Sequence, residues 1–165
     1  MFFDGAVNAK GVGIGAILIS PTGQYYPAIA RLQFFCTNNT VEYEACIMGM
    51  NMAIDQDVEE LIIMKDSDLI IQQAQGERET RDVKFIQYRQ HVEDLSKRFK
   101  SVKFRYIPRL YNELADALAT LASMLPYSGN LHIGPLSKSK KGMVTTIQLR
   151  WNRIFNHGIM VSRDF

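Results

Sequence analysis

The run Leu61-Ile62-Ile63-Met64-Lys65 restricts the fold more than any other stretch. It is too short for a helix and reads as a buried strand. A helix precedes it. Val41, Ala45, Met48 and Met52 recur at helical spacing and predict a helix that starts within Thr37-Asn38-Asn39-Thr40-Val41-Glu42 and runs to about Asp55. Asn39 or Thr40 is expected to cap its first N–H groups, with Glu42 in the first turn. A buried strand reached through a long helix implies a crossover onto a parallel neighbour. The acidic connection Asp57-Val58-Glu59-Glu60 reads as solvated.

The first candidate for that neighbour is Met1-Phe2-Phe3, which meets Asp4-Gly5 and is expected to end there. Three residues make a poor strand, so part of it is expected to be missing from this chain, and Ala6 to Lys10 reads as a polar turn. Gly11-Val12-Gly13-Ile14-Gly15-Ala16 formally matches a dinucleotide-binding fingerprint, but that fingerprint must open a helix. Here Ile17-Leu18-Ile19-Ser20 and the turn Pro21-Thr22-Gly23 follow, so the segment is a strand whose glycines admit a close neighbour. Gln24 to Phe35 supplies a third strand and completes an antiparallel meander.

Downstream, Leu69 to Gln75 suggests a short helix and Gly76 to Asp82 a loop or a helix start. Val83, Ile86, Val92, Leu95 and Phe99 suggest a second long helix. Val102 to Ile107 alternates like a strand. Asn112 is placed as the cap of a last helix with Leu114, Ala115, Leu118, Leu121 and Ala122 as its core stripe. The fold class is α/β: five strands in a mixed sheet, flanked by helices.

A length of 165 residues, with 47% hydrophobic and 22% charged, fits one soluble domain. No run resembles a membrane span or a signal peptide, so an intracellular, membrane-free monomer is expected. Cys36 and Cys46 are expected to be reduced core residues, and His91, His132 and His157 show no ligand spacing. Residues 1–125 hold 13 Lys/Arg against 16 Asp/Glu, net −3, whereas 126–165 hold 6 against one, net +5. The chain therefore divides into a body, 1–125, and a basic linker and tail, 126–165, whose structure is left open. Any nucleic-acid contact by the body must use a local patch.

Four acids stand out. Asp4 and Asp66 each follow a strand, Glu42 opens the long helix, and Asp116 lies beside the apolar face of the last one. If the first and fourth strands are neighbours, Asp4 and Asp66 emerge side by side, where open α/β sheets gather ligands. Converging carboxylates need protons or cations. Hard divalent ions prefer such oxygen ligands, and two of them at about 3.5–4 Å can clamp a phosphodiester. For each acid alone, a local turn, capping or surface role is the better explanation; it is the joint arrangement that favours a functional one.

These residues resemble the type 1 ribonuclease H family. Asp4-Gly5, Thr37-Asn38-Asn39-Thr40-Val41-Glu42, Asp66-Ser67 and Ile107-Pro108-Arg109-x-x-Asn112-x-x-Ala115-Asp116-Ala117-Leu118-Ala119 occur in order across residues 1–124. The last is similar to the version in polyproteins of gypsy-class LTR retrotransposons. The resemblance implies a two-metal endonuclease that cuts the RNA strand of RNA–DNA hybrids with Mg²⁺ or Mn²⁺. Asp4, Glu42, Asp66 and Asp116 would be catalytic and metal-binding. Gly5, Thr37, Asn38, Asn39, Ser67 and Arg109 would contact the substrate, and a reverse transcriptase domain would be a partner. Asn38 and Asn39 would face the minor groove, Thr37 a DNA phosphate, and the Gly5 backbone an RNA 2′-hydroxyl, the group that separates RNA from DNA.

The chain departs from the family in its short first strand and in Asp68, where an uncharged Gln is common. It also lacks a His before the last-helix residues and a Lys-rich insertion. Lys97, Arg98, Lys100, Lys103 and Arg105 form the dense basic cluster of the body. Weak, steeply salt-dependent hybrid binding is the expectation. The alternative is a catalytically impaired module of the same fold that binds nucleic acid without cutting it.

Overall fold

The structure, a computed structural model, describes residues 1–34, 36–67 and 82–125. The expectations for Phe35, Asp68, residues 69–81 and the tail 126–165 lie outside these residues. Strands β1 (Phe2–Asn8), β2 (Gly11–Ile19) and β3 (Tyr25–Leu32) form the antiparallel meander. Helix α1 (Asn38–Asp55) crosses to β4 (Glu60–Lys65), which pairs parallel with β1. Helix α2 (Val83–Ser96) precedes β5 (Ser101–Tyr106), parallel to β4. A short 3₁₀ turn (Arg109–Asn112) leads into helix α3 (Glu113–Met124). The sheet order is β3-β2-β1-β4-β5, a mixed sheet as the crossover required.

The first strand corrects the sequence reading. It does not stop at Asp4, because its ladder with β2 runs from Phe2↔Ile17 to Asn8↔Gly11. Only the parallel pairing with β4 is short, at Phe2↔Met64. The expected turn over Ala6 to Lys10 shrinks to Ala9 and Lys10.

The glycines of β2 do admit a neighbour. A Cβ on Gly13 would collide with backbone atoms of Ala119 and Ser123, and one on Gly15 would lie 2.8 Å from the Ala119 nitrogen. Helix α3 therefore rides almost directly on the sheet, and it does so on a face of Ala115, Ala119 and Ala122. Leu114 and Leu121, expected in the core, are exposed, since a leucine on the inner face would hold the helix away.

Successive strand residues face opposite sides. Ile14 and Ala16 accordingly point to α1, where Gly49 sets its helix close to Met1 and Ala16. This side is filled by large apolar groups: Phe3, Tyr43, Ile47, Met50 and Ile63 are all buried. The expected stripe Val41, Ala45, Met48 and Met52 is buried too, but so is most of the rest of α1. Helix α2 closes this side through Tyr88, Val92 and Leu95 rather than through Val83 and Ile86, which are exposed. Tyr88 stacks on Tyr43 with ring centroids 5.5 Å apart and donates its hydroxyl proton to buried Glu44. Cys36 and Cys46 are buried thiols, as expected. No helix among the described residues is long and apolar enough to cross a membrane.

Candidate active site

The parallel register Phe2↔Met64 carries Asp4 and Asp66 to the same level, two residues on. Glu42 reaches the same place from α1. The helix is capped by Thr37, whose Oγ1 accepts from the Thr40 N–H at 3.3 Å, and not by Asn39 or Thr40. Thr37 has the extended backbone and the acceptor that a cap needs. Because the helix starts this early, Glu42 lies just past its first turn.

The three acids converge on a residue that the sequence reading left as the end of a strand. Lys65 is 1% exposed, and its Nζ lies 2.7 Å from Asp4 Oδ1, 2.9 Å from Asp66 Oδ1 and 3.7 Å from Glu42 Oε1. The same ammonium sits 5.4 Å from the centroid of the Phe3 ring. Asn112 completes the cluster. Its Nδ2 donates to Asp4 Oδ2, Asp66 Oδ1 and the Phe3 carbonyl, each at 3.2 Å. Its side chain makes no capping hydrogen bond to α3, contrary to expectation. A flipped amide would set its oxygen against three acceptor oxygens, so these contacts fix its orientation.

Burial pushes the Asp4 carboxyl above its ordinary value, and Lys65 and the Gly5 N–H offset this only in part. Burial likewise raises Glu42; Lys65 opposes the shift, while Asp4 and Asp66 add to it. For Lys65, burial pulls the ammonium down, but Glu42 and Asp4 overcome it and hold Lys65 above its ordinary value. Lys65 is thus held as a cation by the carboxyl groups around it.

The donor chemistry suits a hard divalent ion, because Asp4, Glu42 and Asp66 all present carboxylate oxygens. Asn112 Oδ1 is also buried without a hydrogen-bond partner. The ammonium itself is a stand-in cation at the point of convergence. Among the described residues, no group of three or more His, Cys, Asp or Glu side chains is placed to hold a metal ion. The fit to a metal therefore exists in the oxygen set and depends on where Lys65 goes.

The reverse transcriptase-like family model matches residues 2–122. This chain belongs to the reverse transcriptase-like family. A curated ribonuclease HI of Halobacterium salinarum is 31% identical over 123 residues, covering 73% of this chain and 62% of that protein. The chain thus spans less than two thirds of that relative's length. The crystal structure of RNase H1 from the same archaeon superposes with a TM-score of 0.69 at 30% identity, covering 73% of this chain and 92% of the other. LC11-RNase H1 in complex with an RNA/DNA hybrid gives a TM-score of 0.65 at 24% identity, covering 73% and 92%. The foamy viral protease-reverse transcriptase in complex with an RNA/DNA hybrid gives 0.55 at 16%, covering 73% of this chain and 19% of that one. The last two likenesses establish the fold, which is that of ribonuclease H.

In this reverse transcriptase-like chain the remaining site candidates are distributed as follows. Asp116 is half-buried, about one helical turn beyond Asn112, and makes no hydrogen bond or ion pair among the described residues. Asn38 and Asn39 open α1, with Asn38 exposed and Asn39 half-buried. The Thr37 hydroxyl is taken up by its cap and by the Thr40 hydroxyl at 3.0 Å. The Gly5 N–H is held by Asp4 Oδ1 at 2.9 Å, and a Cβ on Gly5 would strike Val41 of α1. Ser67 is half-buried beside Asp66, and Arg109 is exposed at the start of the 3₁₀ turn. The basic cluster is exposed, with Lys97 paired to Asp94 and Lys100 to Glu59.

Sequence reasoning missed Lys65, the Asn112 contacts and the buried Glu44. Lys65 had a signal. Three acids brought to one place demand a cation, and a lysine directly preceding one of them at the end of a buried strand can supply it.

Proposed function

We propose that the chain is an endoribonuclease that cuts the RNA strand of RNA–DNA hybrids. The observation that carries this reading is the convergence of Asp4, Glu42 and Asp66 at the level where β1 and β4 part, in a chain of this family. Similarity to ribonuclease HI and to an RNase H1 structure supports it.

In this proposal Asp4, Glu42 and Asp66 would hold one divalent ion, and Asp4 and Asp116 would hold a second. Two Mg²⁺ or Mn²⁺ ions would supply Lewis acidity and water activation for in-line attack on a phosphodiester, leaving 3′-hydroxyl and 5′-phosphate ends. The chain's own residues do the positioning. Asn112 locks the Asp4 and Asp66 carboxylates against rotation through one amide. Asn38 and Asn39 stand on the helix that delivers Glu42, so amide groups able to read base edges move with a catalytic acid. Arg109 offers a planar cation to a phosphate. We further infer a retroelement origin, supported by the residues from Ile107 to Ala119 and by the family match. A reverse transcriptase domain is the corresponding partner.

The test is cleavage of a labelled RNA–DNA hybrid with Mg²⁺ or Mn²⁺ and with chelator, beside duplex RNA and duplex DNA. The expected outcome is metal-dependent cutting confined to the RNA strand of the hybrid, abolished in Asp66→Asn with hybrid binding retained. A folded protein that binds hybrid and never cuts it would overturn the enzyme reading. It would leave the impaired binding module, which the ammonium among the acids specifically favours.

A further inference from the structure

Lys65 is not among the residues that the family resemblance implies. A buried lysine needs compensation, and this one has three carboxylates within 3.7 Å and an aromatic ring beneath it. The acids, for their part, need a cation to converge at all. We propose that Lys65 is a resident counter-ion of the acid cluster, and that a divalent ion binds only by displacing its ammonium from Asp4, Glu42 and Asp66. This rests on the nuclease reading of the same site.

Two consequences separate this role from that of an ordinary ion pair. With its own ammonium at the centre, the cluster would need no divalent ion in order to assemble. Metal affinity is lowered as well, because entry must break the contacts at 2.7 Å and 2.9 Å and expose a charge that is now enclosed. The Lys65 side chain is unbranched and can swing aside, which makes the displacement physically open. Asn112 keeps Asp4 and Asp66 in place meanwhile, since its three contacts do not involve Lys65.

The experiment titrates the full chain and its Lys65→Met variant with Mn²⁺, reading bound ion by electron paramagnetic resonance and thermal midpoint by calorimetry. Methionine keeps an unbranched side chain, one atom shorter, and removes the charge. The variant is expected to bind Mn²⁺ at least about tenfold more tightly than the unaltered chain, because a cation-cation repulsion at the site is gone. In chelator its midpoint should fall below that of the unaltered chain, and Mn²⁺ should restore it. Equal Mn²⁺ affinity of the two proteins, or tighter binding by the unaltered chain, would overturn the proposal.

Should Lys65→Met fail to fold, the unaltered chain decides. Saturating Mn²⁺ should release Lys65 to an amine-acylating reagent, detected by mass spectrometry, while Lys65 resists labelling in chelator. Bound Mn²⁺ with Lys65 still protected, or no Mn²⁺ bound at any concentration, would overturn the proposal. Hybrid cleavage measured alongside keeps the two readings apart. Cutting without an affinity gain in the variant sinks the counter-ion role alone. An affinity gain without cutting by either protein sinks the nuclease reading alone.

Discussion

The two faces of the sheet are packed by opposite means. On the α1–α2 side, volume does the work: Phe3, Tyr43, Ile47, Met50 and Ile63 fill the space between helix and strands. On the α3 side there is almost no space to fill, and the backbones themselves approach across Gly13, Gly15, Ala115 and Ala119. The first arrangement tolerates exchange of one apolar group for another of like size. The second leaves no room for even one added carbon between helix and strand. It is the second that holds Asn112, at the start of α3, against Asp4 and Asp66. The filled side delivers Glu42 from α1, and the close side supplies the amide that holds its two partner acids.

Substitutions can break this contrast. Ile47→Ala removes volume from the filled side and should cost about 2–5 kcal/mol in chemical denaturation, with Asn112 left in place. Gly13→Ala adds one carbon to the close side and should cost about 1–3 kcal/mol. Its distinguishing mark is a displaced α3 and a loss of hybrid cleavage greater than that of Ile47→Ala. Comparable activity in the two variants would remove the contrast.

Alkaline pH should strike the filled side. Burial pushes Cys46 and Tyr43 each up to about 12 and Cys36 up to about 11. Burial and then its hydrogen bond to Glu44 raise Tyr88 as well. These acids keep their protons in the folded state, while the unfolded chain surrenders them from pH 9.0 for the thiols and 10.0 for the phenols. The unfolded state is therefore favoured as pH climbs from 9 toward 12, by about 1.4 kcal/mol per unit for each group ionised only when unfolded. Denaturation midpoints taken at successive pH values should fall in this window, and Cys46→Ala should flatten the fall. The smallest effect belongs to Leu121→Ala on the outer face of α3, where a change within about 0.5 kcal/mol is expected despite the residue's size.

Much of this was legible in the sequence. The meander, the crossover helix and both parallel strands follow from periodicity and turn residues, and the order of the acids carried the family resemblance. What escaped depends on distances between elements. Leu114 and Leu121 have the spacing of a core stripe, yet the core takes the alanines because Gly13 and Gly15 lie opposite, and no local pattern in α3 contains that fact. Asn112 looks like a cap, and its amide is drawn off by carboxylates more than forty positions away in the chain. Lys65 reads as the end of a buried strand until its neighbour Asp66 and the remote Asp4 and Glu42 enclose it. Asp4 seemed to end a strand because the parallel and antiparallel ladders of β1 have different lengths.

That difference in length bears on the order in which the molecule is built. The meander joins neighbours in the chain and can form locally, whereas the seam between β1 and β4 closes a long loop through Phe2↔Met64 and the Met64 N–H to Met1 carbonyl bond at 2.8 Å. Asp4 lies on one bank of the seam, and Lys65 with Asp66 on the other. A chain that has folded only its first three strands holds no such cluster, so competence to act requires that the β1–β4 seam be closed.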